Sequence, residues 1–322
     1  MDALSHVLQS VRMEGALYLN AEFTAPWCIQ SAYGFQSVSA RFAQADHVVF
    51  FHFLTEGRCK LRLANGGDVL DAGAGDLVLF PHDNKHLMGS DLHLAPVEAS
   101  TLVRSDAAND PDVIQLRHGG GGVATRFVCG YLACHRALCR PLLDALPDLV
   151  RIPMSDAPAS MLMRDLLRIG VRESAAARPG AASMLAKLSE LLFVEALRRY
   201  VESLPGERKG WLAGLRDAHV GRALALLHGD PNRGWTVDDL AREVALSRSA
   251  LADRFTALVG EPPMQYLTRW RLALAAQMLR SGREAISRVA ERSGYESEAA
   301  FNRAFKREFG MPPAGWRRAA LK

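Results

Sequence analysis

Apolar positions along this chain of 322 residues fall into two rhythms, short strand-like runs near the front and long helical repeats toward the end. From about Asp46 to Met88 the runs Val48-Val-Phe-Phe-His52-Phe-Leu-Thr-Glu56, Lys60-Leu-Arg-Leu63, Val69-Leu-Asp-Ala-Gly73 and Gly75-Asp-Leu-Val-Leu-Phe-Pro81 are broken by Gly and by Asn65-Gly66-Gly67. β-Branched and aromatic runs between such turn residues predict antiparallel strands and hairpins. Strand alternation places Phe50, His52, Leu54 and Glu56 on one face. Further on, Pro141 to Leu149 reads as helix, Val150-Arg-Ile-Pro153 as a strand, and Ala159 to Ser174 as helix again. Past Arg178-Pro179-Gly180 a helix is predicted from Met184 to Leu204, marked by Leu188, Leu191, Leu192, Glu195 and Val201, with apolar residues on more than one face. Pro205-Gly206-Glu-Arg-Lys-Gly210 reads as a linker.

The last hundred residues repeat. Phe255-Thr-Ala-Leu-Val-Gly260-Glu-Pro262-Pro263 returns fifty positions on as Phe305-Lys-Arg-Glu-Phe-Gly310-Met-Pro312-Pro313. Upstream, Thr236 to Ser247 matches Ala285 to Glu296 at an offset of 49, so the second copy carries one extra residue near Ser297. Each copy predicts a short helix, a tight turn and a second helix, the helix-turn-helix pattern. Thr236 and Ser247 are expected to cap the two helices of the first copy by accepting backbone N–H groups. Val237, Leu240, Ala241 and Val244 should then face Leu251, Phe255 and Leu258. Small Ala241 and Ala290 permit close crossing of the helices. Gly294 can take a turn conformation with positive φ where the first copy has Ala245. Between the copies, Pro263 to Ser281 has helical periodicity and no internal Gly or Pro. At roughly 17 residues and about 25 Å, this helix could hold two reading helices near one DNA turn apart, roughly 34 Å.

Charge agrees with that placement. From Asp217 to Lys322 there are 17 Lys+Arg against 12 Asp+Glu, while the rest of the chain has 22 against 23, so the formal net charge of +4 comes from the repeat region. A basic balance there suits a surface meeting phosphate. At 49% hydrophobic and 23% charged the composition is that of an ordinary soluble protein of two or so domains. No window approaches 18 uninterrupted apolar residues and no export signal opens the chain, so neither a membrane span nor secretion is expected. The odd number of cysteines, five, points to reduced thiols in a cytoplasm.

The paired modules, the joining helix and the Gly-x-Pro-Pro exits, from about Ala218 to Trp316, resemble the AraC/XylS family of transcription regulators. By position in that family, Ser249, Ala252 and Asp253 of the first module and Glu298, Ala299, Asn302 and Arg303 of the second would read bases. Arg248, Arg254, Lys306 and Arg307 would meet phosphates. Arg303 can offer two donors to guanine and Asn302 can pair with adenine, each contact deciding about 1–3 kcal/mol of preference. Ser249, Ala252 and Asp253 are chemically weaker readers. The alternative for Arg303, Asn302 and Asp253 is a solvated helix surface.

The front half resembles the cupin barrel. Its first motif is met by His52-x-x-x-Glu56, with Phe50 in place of a His, and its second by Gly75, Pro81 and His86, with Asp83 and Ser90 as departures. His52, Glu56 and His86 have the composition of a two-His, one-carboxylate site for a divalent metal. The same residues would equally line a metal-free effector pocket, or serve structure alone. Cys129-x4-Cys134-His135-x3-Cys139 follows Gly119-Gly-Gly-Gly122 and lies near Arg126, Arg136 and Arg140. Those cations could lower a thiol pKa and favour redox sensing. Buried hydrophobic cysteines are the alternative.

The sequence thus predicts an α+β chain of two domains, an N-terminal cupin-like β-barrel and a C-terminal all-α double helix-turn-helix domain, joined by a helical connector. The expected boundaries are 1–140 for the sensor, 141–216 for connector, dimerisation element and linker, and 217–322 for DNA binding. The resemblance implies a non-enzymatic, sequence-specific regulator, an activator acting on double-stranded DNA with RNA polymerase, as a homodimer answering a small-molecule, metal or redox signal. Its place would be the bacterial cytoplasm, at the nucleoid. A metal-dependent cupin enzyme fused to a DNA-binding module is the competing reading.

Overall fold

A computed structural model describes residues 1–11, 13–31, 45–102, 113–154, 158–176, 178–205, 208–282 and 284–320. Two of the six positions expected as a linker, 206 and 207, lie outside these. The chain divides into two compact units, each drawing on separated segments. One comprises Met13–Cys134 and Leu146–Glu202. The other comprises Met1–Arg12, His135–Ala145 and Ser203–Lys322.

The first unit is β-rich. Its strands are β1 (Glu14–Thr24), β2 (Cys28–Ser31), β3 (His47–Glu56), β4 (Arg58–Leu63), β5 (Leu70–Gly73), β6 (Asp76–Phe80), β7 (His86–Gly89), β8 (Val97–Glu98), β9 (Ile114–Gly119), β10 (Ala124–Cys134) and β11 (Val150–Pro153). They form a six-stranded sheet in the order β11-β6-β3-β10-β1-β9 and a five-stranded sheet in the order β5-β4-β7-β2-β8. Residues from both sheets, Phe23, Phe50, Leu54, Leu61, Val78 and Phe127 among them, share one buried core. That core supplies the burial which holds this many short strands together. A one-turn helix, α2 (Ala99–Leu102), follows β8, and the long α4 (Pro158–Ala175) and α5 (Ala181–Ser203) complete the unit. At Gly15 of β1 a Cβ would stand 2.7 Å from the Ala186 carbonyl oxygen, so the missing side chain lets α5 lie close to the sheet.

The second unit is helical: α1 (Ala3–Val11), α3 (Arg136–Leu143), α6 (Trp211–Arg216), α7 (Ala218–Gly229), α8 (Val237–Glu243), α9 (Arg248–Val259), α10 (Pro263–Ser281), α11 (Ile286–Arg292), α12 (Glu298–Phe309) and α13 (Pro313–Ala320). Helices α8–α9 and α11–α12 are the two helix-turn-helix modules and α10 joins them. These units cut the chain differently from the expected boundaries. Helix α1 packs on α7, and α3 packs on α10, α6 and α1. Residues 146–202, read as part of a connector, group with the barrel strands.

Local chemistry explains the module boundaries. Thr236 accepts from the Asp239 N–H while Asp239 accepts from the Thr236 N–H, a reciprocal capping box that starts α8. Ser247 and Ser297 cap α9 and α12 through the N–H groups of Ala250 and Ala300. Gly260 and Gly310 end those helices in the left-handed region, at φ of 93° and 74°. Ala245 adopts a φ of 55° where Gly294 has 78°, so the first module holds a non-glycine residue in a conformation glycine tolerates better.

Candidate DNA-reading helices and sensor cavity

Helix α9 buries Leu251 and Phe255, and α12 buries Phe301, Ala304 and Phe305. The opposite faces are open. Arg248, Ser249 and Asp253 are exposed on α9, and Glu298, Ala299, Arg303, Lys306 and Arg307 on α12; Ala252 and Asn302 are half-buried. Every expected DNA-facing residue therefore lies off its module's packed face, but their commitments differ.

Arg254 donates from Nε and Nη2 to one Asp217 carboxylate oxygen at 2.8 and 2.5 Å. Asp217 is also the N-cap of α7, accepting from the His219 and Val220 N–H groups, and these bonds with Arg254 hold its pKa below the usual carboxylate value against the opposing effect of burial. Arg254 thus ties α9 to α7. The residue expected at phosphate thus has an internal partner as well, 37 positions upstream. Arg248 makes a longer pair with Asp238 at 3.3 Å, both side chains well exposed. Such a pair is worth little and can open toward a phosphate. On α12, no ion pair among the described residues holds Arg303 or Lys306. The module's acidic Glu308 is engaged by Arg140 of α3 at 2.9 Å.

Sequence reasoning missed a buried network behind the first module. Trp211 Nε1 donates to the Tyr266 hydroxyl at 2.7 Å, and that hydroxyl lies 2.6 Å from His228 Nε2. Burial, reinforced by the charge of His6, pulls the His228 pKa down to about 3. Its imidazole stays neutral inside the unit.

In the barrel, strand register decides which expected residues meet. His52 of β3 pairs with Cys129 of β10, while His86 of β7 pairs with Ser31 of β2 in the other sheet. His52 Nε2 and His86 Nε2 meet across the sheets at 2.8 Å, and His52 Nδ1 lies 2.7 Å from Cys129 Sγ. His86 Nδ1 lies 3.1 Å from the Asn84 carbonyl oxygen. The His86 ring stacks on Phe80, with centroids 3.6 Å apart. A carbonyl only accepts, so His86 carries its proton on Nδ1 and presents a bare Nε2. His52 must then donate from Nε2 and accept at Nδ1 from the Cys129 thiol. Burial keeps this chain neutral: it lowers His52 well below the ordinary imidazole value, with His86 adding to the effect, takes His86 to about 4, and raises Cys129.

Glu56 does not join them. Leu54 pairs with Phe127 and Glu56 with Arg126, so Thr55 is an extra residue on β3. This bulge inverts the alternation that would have aligned Glu56 with His52. The Glu56 carboxylate instead pairs with Arg126, which also binds Glu22 at 2.8 Å. Among the described residues, no three His, Cys, Asp or Glu are placed to hold a metal ion. With both His52 nitrogens engaged and the carboxylate elsewhere, the set His52, Glu56, His86 does not fit a divalent metal, and the metal-enzyme reading loses its site. The thiol expectation is corrected too. Cys129, Cys134 and Cys139 are all buried, and Cys139 belongs to the other compact unit. Two of the three cations thought to activate them are engaged elsewhere, Arg126 by Glu22 and Glu56, Arg140 by Glu308 and Asp144.

Beside the chain lies a narrow cavity walled by Leu19, Phe23, Ile29, Met88, Leu116 and Phe127, with Ala99 and Leu102 of α2 and the polar residues Ser31, His52, His86 and Cys129.

A β-rich unit with a cavity, in one chain with two helix-turn-helix modules on a shared helix, defines a DNA-binding transcription regulator. Residues 2–202 match the family model described as cupin, and residues 240–319 the one described as helix-turn-helix domain. An AraC-like transcription regulator of Streptomyces lividans is 35% identical, over 99% of this chain and 98% of that protein. The HTH-type transcriptional regulator AlkR of Acinetobacter baylyi is 29% identical over 98% and 99%. The RCS-specific HTH-type transcriptional activator RclR of Escherichia coli K12 is 27% identical over 98% and 97%. The chain belongs to the AraC-like family of transcription regulators. No helix among the described residues is long and apolar enough to cross a membrane.

Proposed function

We propose that this regulator is a one-component activator in which a small molecule, seated in the barrel, changes the affinity of the two modules for an operator. The observation carrying this reading is the buried cavity with its His86–His52–Cys129 chain, in the same polypeptide as two capped modules with open reading faces. A ligand there can alter transcription only through different affinities for the DNA-competent and incompetent states. The chain acts as a regulator without turnover, in the bacterial cytoplasm at the nucleoid, and recruits RNA polymerase; the relative named as an activator supports that direction. It works as a homodimer, a reading supported by the exposed apolar Met161, Leu162 and Ile169 of α4 and Leu191 of α5. The test is selection of bound genomic fragments with the full chain, followed by transcription from the selected promoter with purified RNA polymerase. Ligand-dependent stimulation is the expected result. Sequence-independent binding, or repression at every selected promoter, would overturn the reading.

A further inference from the structure

The barrel cavity is selective by what its wall lacks. Among the described residues no Lys, Arg, Asp or Glu lines it. Against these described residues an anion or cation would lose its hydration without gaining a counter-charge, a penalty that apolar contacts do not offset. The wall does carry two imidazoles and a thiol, so neutral polar ligands need a separate argument.

The hydrogen-bond chain supplies it. Cys129 donates to His52, His52 to His86, and His86 to the Asn84 carbonyl, so each donor and each bare ring nitrogen is already used. A sugar, with several hydroxyl groups, would have to break this chain or bury its own groups unpaired. Of the polar side chains in the wall, only the Ser31 hydroxyl is engaged by no described residue. One hydrogen-bonding group can therefore be received, and little more.

The rest of the wall is hydrocarbon, and it is soft. The space free for the centre of a water-sized sphere is about 20 Å³, enough for about one water. A ring-sized ligand must displace side chains. Met88, with three rotatable bonds, is the wall residue best able to move aside. Leu102 and Ala99 sit on α2, a helix of one turn.

We infer that the cavity takes an uncharged, predominantly apolar small molecule with at most one hydrogen-bonding group, and rejects sugars, carboxylates and amines of the same size. This rests on the sensor reading above, and names the chemical class of its ligand. The polar chain is an internally satisfied element that the ligand packs against.

Three probes share one ring and differ in charge: 4-fluorotoluene, 4-fluorobenzoate and 4-fluorobenzylamine. Fluorine NMR of each with the full-length protein at pH 7 reads binding directly. The neutral probe is expected to bind at least 30-fold more tightly than either charged one, and glucose should not displace it. Filling the cavity by Ala99→Phe or Met88→Trp should weaken the neutral probe at least tenfold. Two variants are used so that a misfolded one, detected by circular dichroism, does not decide the outcome. Binding of benzoate or benzylamine as tight as that of the neutral probe, retention of the probe by both folded variants, or no binding of any probe would overturn the inference. Operator affinity with the probe at saturation separates the two readings. Selective binding of the neutral probe without any change at the operator defeats the sensor reading and leaves the ligand class standing. An operator response to a sugar or carboxylate, without binding of the neutral probe, does the reverse.

Discussion

The two helix-turn-helix modules share a scaffold and differ in what they have left to offer DNA. Both place a Phe at full burial in the second helix, Phe255 and Phe305, and both close that helix on a left-handed glycine. The first then commits Arg254 to Asp217, pairs Arg248 with Asp238, and shows Ser249 and Asp253. The second commits Glu308, its late acidic residue, to Arg140, and leaves Asn302, Arg303, Lys306 and Arg307 on the open side. Duplication preserves packing because burial constrains volume, while exposed positions are constrained only by the partner they meet.

The strongest way to break the shared-scaffold half of this comparison is in the cores. Phe255→Ala and Phe305→Ala should each lower the unfolding free energy by about 3–5 kcal/mol in chemical denaturation. A cost under 1 kcal/mol for either would show that one module is not built as the other is. The reading half is sharpened by Arg303→Ala, expected to lose about 1–3 kcal/mol at one operator base pair in competition binding. Asp253→Ala should bind operator no more weakly than the parent, since it removes a negative charge facing phosphate. Equal losses in the two variants would contradict the division of labour.

Acid should separate the modules next. His228 lies behind the first module only, with a folded pKa of about 3 against an ordinary 6.5. In that window the unfolded state binds the proton and the folded state does not. The stability is therefore fully present above pH 6.5 and is lost as pH falls toward 3, by about 2 kcal/mol at pH 5. Hydrogen exchange should show α7 losing about 30-fold of its protection relative to α12 between pH 7 and pH 5. Equal loss in both helices would remove His228 as the cause. A smaller effect belongs to the caps. Thr236→Ala should cost about 1 kcal/mol, while Ala285→Thr, at the start of α11 where no side chain caps the helix, should return up to that amount. Smallest is the salt response. Lys306→Ala should lower the slope of log affinity against log salt by about 0.9, and Arg254→Ala should leave the slope unchanged while lowering stability.

What could be read without the structure follows the range of the forces involved. Thr236, Ser247, Gly260 and Gly310 announce helix ends through bonds made within four residues, so the modules were legible as a repeat. Arg303 and Lys306 were placed by their position in the resembling family, and the helix that carries them buries Phe301 and Phe305 on its other side. The Arg254 pair with Asp217 was not legible because its partner is 37 positions upstream. Glu56 misled because the bulge at Thr55 exists only in register with β10, about seventy positions further along. Cys129 was grouped with Cys134 and Cys139 by proximity in sequence, yet its nearest polar neighbour is His52, which reaches it through strand pairing. The sites of α1 and α3 left no mark in local periodicity, since either helix buries its apolar stripe equally well on any suitable surface.

The segmented make-up of the helical unit bears on how this protein is synthesised. Helix α1 leaves the ribosome more than two hundred residues before α7, on which it packs, and α3 likewise waits for α10. Throughout that interval α1 holds Ala3, Val7 and Val11 without the neighbour that buries them, while the barrel strands are completed in between. A nascent chain that stops before Ala218 therefore holds α1 without its packing partner, and the helical unit closes only after the barrel strands are complete.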